Sequence, residues 1–237
     1  MSRAQTKKRK NNKFALNESH FTLQTILPIT DTQEKVFTKF NDGEHLFLHG
    51  FAGTGKSYIA CYLAIQELMN PPPQYKNLTV VRSVVPTRDI GFLPGTEEQK
   101  VEVYEAPYKS IFNSLFQRGD AYELLRKKSI VNFMTTSYIR GITLEDTLII
   151  IDECQNMTFH ELDSIITRIG NNCRVIFCGD FRQSDFEFSD EREGLMKFIN
   201  IVKQIEQFSF IEFNKDDIVR SDLVKSYIIK KTEQGLI

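Results

Sequence analysis

Residues 50–57 read Gly50-Phe51-Ala52-Gly53-Thr54-Gly55-Lys56-Ser57, and the fold turns on how this octapeptide is read. It matches GxxxxGK[ST] at every fixed position, a pattern in which glycines let the backbone curl until successive N–H groups face an anion. Upstream, Glu44 to His49 (EHLFLH) is a short apolar run ending directly in glycine, which predicts a buried strand. Downstream, Ile59, Ala60, Leu63, Ala64 and Leu68 recur at threes and fours, predicting a helix from Lys56 to Met69 that stops at Asn70 before three prolines. Strand, glycine loop and helix in this order form a phosphate cradle, because loop amides and the positive end of the helix dipole converge on one point. Residues Gly50, Phe51, Ala52, Gly53, Thr54, Gly55, Lys56, Ser57 and Tyr58 are therefore the nucleotide-binding candidates. Lys56 would bridge β- and γ-phosphates, and Ser57 would ligate Mg²⁺.

Such a loop needs an acid across the nucleotide, expected to end a buried strand beside the first. The run LIIIDECQNM supplies it, with Leu148 to Ile151 as strand, Asp152 as metal-shell carboxylate and Glu153 as general base for water. The alternative is that two adjacent acids merely cap the next helix. A further strand, Arg174 to Cys178, runs into Gly179-Asp180-Phe181-Arg182-Gln183, and Gln183 is a candidate for sensing the γ-phosphate or the attacking water.

Working outward, apolar segments at Leu78 to Val81, Ile130 to Met134 and Phe208 to Phe213 predict further strands. Helical patterns fall at Pro28 to Phe40, Glu97 to Phe116, Phe159 to Ile169, Glu193 to Gln207 and Ile218 to Thr232. Strands apolar on both faces, alternating with helices, imply an α/β fold with a largely parallel sheet covered on both sides. A chain of 237 residues fits one such domain, expected over 21–237. Residues 1–20 are expected to be a disordered basic arm, since Arg3, Lys7, Lys8, Arg9, Lys10 and Lys13 occur there before any acid. Beyond residue 13 the chain holds 24 of the 30 basic groups against all 31 acidic ones, so contact with a polyanion must come from a local patch or from the arm. No apolar run reaches the length of a membrane span, and a cytoplasmic protein is expected. Cys61, Cys154, Cys173 and Cys178 lack zinc-site spacing and read as buried thiols.

Four segments taken together carry a resemblance: GFAGTGKS at 50–57, IGFLPGTEEQK at 90–100, YIRGITLEDTLIIIDECQNMT at 138–158 and TRIGNNCRVIFCGDFRQSD at 167–185. In order and spacing they resemble the PhoH-like proteins, P-loop ATPases related to the first RecA-like core of superfamily 1 helicases. The resemblance spans roughly residues 25 to 230. It implies a RecA-like P-loop NTPase that hydrolyses ATP with Mg²⁺, coupled to RNA or single-stranded DNA. It also implies homo-oligomeric rings. Gln33 stands where the family has an adenine-reading glutamine, and Arg220, in DDIVRSDLVKSYI, where it has an arginine for the γ-phosphate, in its own site or a neighbour's. Many relatives have proline after the arginine of the strand following the P-loop helix, whereas this chain has Arg82-Ser83. Nucleic acid, if bound, is expected on the loops after the central strands, with Arg82, Arg88, Tyr138 and Arg140 supplying cations and a stacking ring. The competing reading is an ATP-dependent switch or interaction protein without motor activity.

Overall fold

The structure, a computed structural model, describes residues 21–83, 97–181 and 189–235. The basic arm, Arg88 and Gln183 lie outside the described residues. Among the described residues six strands form one sheet: β1 (His45–Gly50), β2 (Asn77–Arg82), β3 (Val131–Thr135), β4 (Thr147–Asp152), β5 (Arg174–Gly179) and β6 (Phe208–Phe213). Every pairing is parallel and the order is β3-β2-β4-β5-β1-β6. The expected parallel sheet is therefore present, with one correction. The acid-bearing strand β4 does not lie beside β1, because β5 is inserted between them, pairing Leu48 with Cys178 on one side and Ile151 with Phe177 on the other.

Both faces of the sheet are covered. Alternate residues Leu46, Leu48, Leu78, Val80, Leu148 and Ile150 pack under α1 (Asp31–Asn41), α2 (Lys56–Met69), α3 (Glu97–Leu115) and α4 (Ala121–Lys127). The intervening residues Phe47, Val81, Ile149, Ile151 and Phe177 pack under α5 (Phe159–Ile166) and α6 (Ser189–Val202). This period of two decides where chemistry emerges: Asp152, in step with Ile150, leaves the sheet on the α2 and α3 side.

Several boundaries differ from expectation. Helix α4 has no counterpart in the sequence reading, because its seven residues are too few to establish a period. Helix α6 begins four residues earlier and ends five earlier than expected, the chain turning at Lys203 and Gln204. Helix α7 (Asp222–Glu233) starts later than Ile218, because Asn214 and Asp217 form a capping box over a short 3₁₀ turn and the Val219 N–H is engaged by Gly53 O at 3.0 Å. Arg220 consequently lies on an extended connection against the loop after β1. Cys61, Cys154 and Cys178 are buried, and Cys173 is half-buried.

Candidate functional site

Strand β1 ends in Gly50 at φ +113°, where an added Cβ would lie 2.0 Å from Phe213 O, so only glycine allows β1 and β6 to approach and the chain to turn. Gly53 and Gly55 also take positive φ, and a Cβ on Gly53 would lie 2.8 Å from Arg220 Cγ. These glycines shape a loop whose lysine is drawn inward. Lys56 Nζ donates to Gly50 O at 2.8 Å and Phe51 O at 2.7 Å. Burial lowers its pKa, opposed by the charges of Asp180, Asp152 and Glu153. A buried cation at the edge of an open cavity can pair with an anion that enters it.

Ser57 and Asp152 meet across the intervening strand: Ser57 Oγ donates to Asp152 Oδ1 at 2.8 Å. Glu153 follows at φ +52°, a left-handed turn that costs a non-glycine residue about 1–3 kcal/mol and reverses the chain at the strand end. It holds the N-cap position of the short 3₁₀ turn Cys154–Asn156 without a side-chain cap bond. Thr158 caps α5, forming a box with Glu161. Burial and the adjacent Asp152 raise the Glu153 carboxyl, while the Gln155 amide, Arg82 and Lys56 oppose the rise. Gln155 Nε2 donates to Glu153 Oε2 at 2.6 Å, and Gln155 Oε1 accepts from Asp180 N at 3.1 Å. One amide thus ties the end of β4 to the end of β5.

A cavity of about 600 Å³ opens where these groups converge, lined by loop residues 52–58, Asp152, Glu153, Gln155, Asp180 and Arg220, with α3 as its far wall. A smaller one of about 210 Å³ adjoins it, lined by Leu27, Ile29, Gln33, Tyr58, Val219 and Arg220. Gln33 Nε2 donates to Thr54 O at 3.2 Å and Gln33 Oε1 accepts from Ile29 N at 2.8 Å, so the amide is oriented and keeps one donor and one acceptor position for a base edge. A largely apolar slot with an oriented amide suits a purine ring.

The expected nucleic-acid residues do not all come together. Tyr138 and Arg140 are exposed after β3. Arg82 pairs in register with Asp152 and lies 5.7 Å over the Tyr104 ring of α3, on the nucleotide side. Ser83, where many relatives have proline, donates to Glu161 Oε1 at 3.1 Å, and Thr136 Oγ1 donates to the same oxygen at 2.6 Å. Sequence reading missed Gln155, Asp180 and Tyr108. The first two stand within quoted motifs, whereas nothing in the sequence marks Tyr108.

The family profile described as PhoH-like protein matches residues 25–231. The chain belongs to the PhoH family. A PhoH-like protein of Synechocystis sp. is 31% identical over 225 residues, covering 89% of this PhoH-family chain and 67% of its own length. The PhoH-like protein of Bacillus subtilis is 33% identical over 180 residues, covering 76% of this chain and 55% of its own length. The chain thus spans between about a third and two thirds of the length of the curated relatives it matches. Among solved structures, the large terminase of a thermophilic bacteriophage, in complex with ADP, has a TM-score of 0.53 at 11% identity, covering 84% of this chain and 49% of its own. That likeness is one of fold: a RecA-like P-loop NTPase. Hard oxygen donors at Ser57 and Asp152 and a loop whose Gly50, Gly53 and Gly55 take positive φ are of the kind that fits Mg²⁺ with a triphosphate.

Proposed function

We propose that this PhoH-family chain binds ATP with Mg²⁺ and hydrolyses it, and that RNA or single-stranded DNA is the partner whose binding turnover serves. The Ser57–Asp152 hydrogen bond carries the reading, because it joins loop and acid across β5 on the face where Lys56 and Glu153 stand. In this reading Gln33 and the slot beside Tyr58 hold the adenine. Loop amides and Lys56 hold the phosphates, their charges offsetting the negative charge that develops in phosphoryl transfer. Ser57 and Asp152 would hold Mg²⁺, which when bound neutralises phosphate oxygens.

Glu153 accepts the proton of the attacking water, its raised pKa making it a better base than an exposed glutamate. Gln155 keeps that carboxylate oriented. Gln183 and Arg220 are proposed to meet the γ-phosphate, Arg220 from the rim of the cavity. Arg220 can also be presented to a neighbouring copy in a ring. Tyr138 and Arg140 offer a ring and a cation to single-stranded nucleic acid, joined by Arg88. Steady-state phosphate release with and without RNA and single-stranded DNA tests the whole reading. Stimulation by a polynucleotide is expected. Hydrolysis indifferent to every polynucleotide favours an ATP-dependent switch, and absence of hydrolysis removes the enzyme reading.

A further inference from the structure

Asp152 is 5% exposed, and both of its carboxylate oxygens are engaged. Oδ1 accepts from Ser57 Oγ at 2.8 Å, and Oδ2 accepts from the Tyr108 hydroxyl at 2.7 Å. Tyr108 is itself 1% exposed, its ring 5.5 Å from that of Phe133 on β3. It belongs to α3, whose Pro107, Ser110, Ile111 and Ser114 line the nucleotide cavity. Two donors on two oxygens leave the carboxylate a single orientation, with Oδ1 turned to the loop and Oδ2 to α3. Without the phenol, Oδ2 would be a buried acceptor lacking this donor, free to swing the carboxylate off Ser57.

We propose that Tyr108 is a positioning residue: by holding Asp152 Oδ2 it aims Oδ1 at the cation position shared with Ser57, so that divalent-cation affinity depends on the seating of α3. The assignment rests on the reading of Asp152 as the metal-shell carboxylate. It gives α3 a role that its place in the cavity wall alone does not. The helix that lines the nucleotide cavity also sets the acid opposite, so a shift of α3 is felt at the metal. Partners in the outer shell of metal ligands commonly act in this way.

Tyr108→Phe deletes one oxygen and keeps the ring against Phe133. Tyr75→Phe is its control, because Tyr75, buried ahead of β2, belongs neither to α3 nor to the lining of the nucleotide cavity. Wild type and both variants are titrated with Mg²⁺ at saturating ATP, reading phosphate release, and with a fluorescent ATP analogue in EDTA. Y108F should need about tenfold more Mg²⁺ for half-maximal turnover, the lower end of the usual range for outer-shell substitutions. Its metal-free nucleotide affinity should be unchanged, and Y75F should behave as wild type. Equal Mg²⁺ dependence in Y108F and wild type overturns the proposal, as does a loss of the same size in EDTA. A Y108F chain that does not fold marks the bond as structural and overturns it too. Mn²⁺ binding to the ADP-loaded proteins, read by electron paramagnetic resonance, measures the same affinity without turnover. Weaker Mn²⁺ in Y108F supports the role even if wild type releases no phosphate, an outcome that would instead defeat the hydrolytic reading; unchanged Mn²⁺ affinity defeats the role of Tyr108.

Discussion

Lys56 and Glu153 are both charged groups that burial penalises, and each is retained beside the other's opposite charge. Removing either has a distinct signature. Lys56→Ala should abolish measurable ATP binding in calorimetry, because under the proposed function its ammonium, now on Gly50 O and Phe51 O, and the loop amides hold the phosphates. Glu153→Gln should bind ATP as wild type does and lose turnover by about 10²–10⁴-fold, the span of general-base contributions. It should also melt higher at neutral pH. The folded carboxyl has a raised pKa, so its ionised form costs stability above that value, and the cost is relieved as pH falls through it. The melting-temperature gain of E153Q over wild type should therefore shrink on acidification, as followed by circular dichroism. Wild-type turnover in E153Q would take the base role from this residue. The acid pair was legible from four aliphatics followed by Asp-Glu, but Tyr108 was not, since a tyrosine at helical spacing reads as core until its hydroxyl is seen to meet Asp152.

At the scale of elements, caps and turns hold the site in place. Gly50→Ala would force a Cβ into Phe213 O at a left-handed φ, and should cost about 3 kcal/mol in urea denaturation, near the upper end for single substitutions. Gly119→Ala, where nothing lies within 4 Å, should stay within about 0.5 kcal/mol. Thr158→Ala removes the α5 cap and should cost about 1 kcal/mol by the same measurement. The strands were readable because buried parallel strands are near-continuous apolar runs. Helix starts were less so. The α7 start moved because the Val219 N–H is taken by Gly53 O, far away in the chain, a competition no local pattern encodes.

Across the whole molecule, the two faces of the sheet divide the work. The α2 and α3 face carries Ser57, Asp152 and Tyr108, while the α5 face carries Glu161, which accepts from Ser83 after β2 and Thr136 after β3. Under the proposed function, Tyr138→Ala with Arg140→Ala should weaken binding of single-stranded RNA in fluorescence anisotropy by about 1–3 kcal/mol for the stacked base alone. Basal ATP turnover should be unchanged. Removing residues 1–13 should also leave turnover intact, and should flatten the salt dependence of RNA affinity, because six basic groups no longer release counterions. An unchanged slope would leave the arm without a polyanion role. Among the described residues no helix is long and apolar enough to cross a membrane.

By itself the sequence determined the parallel α/β class, the glycine loop with its lysine and serine, and the acid pair that answers them. These depend on local features: residue type, period and short spacing. Tertiary structure alone decided that β5 separates β1 from β4, that Gln155 joins two strand ends, and that Tyr108 holds Asp152. Each of these is a meeting of atoms fixed by strand order and by which face of a pleat a side chain leaves, and neither is written in any one segment.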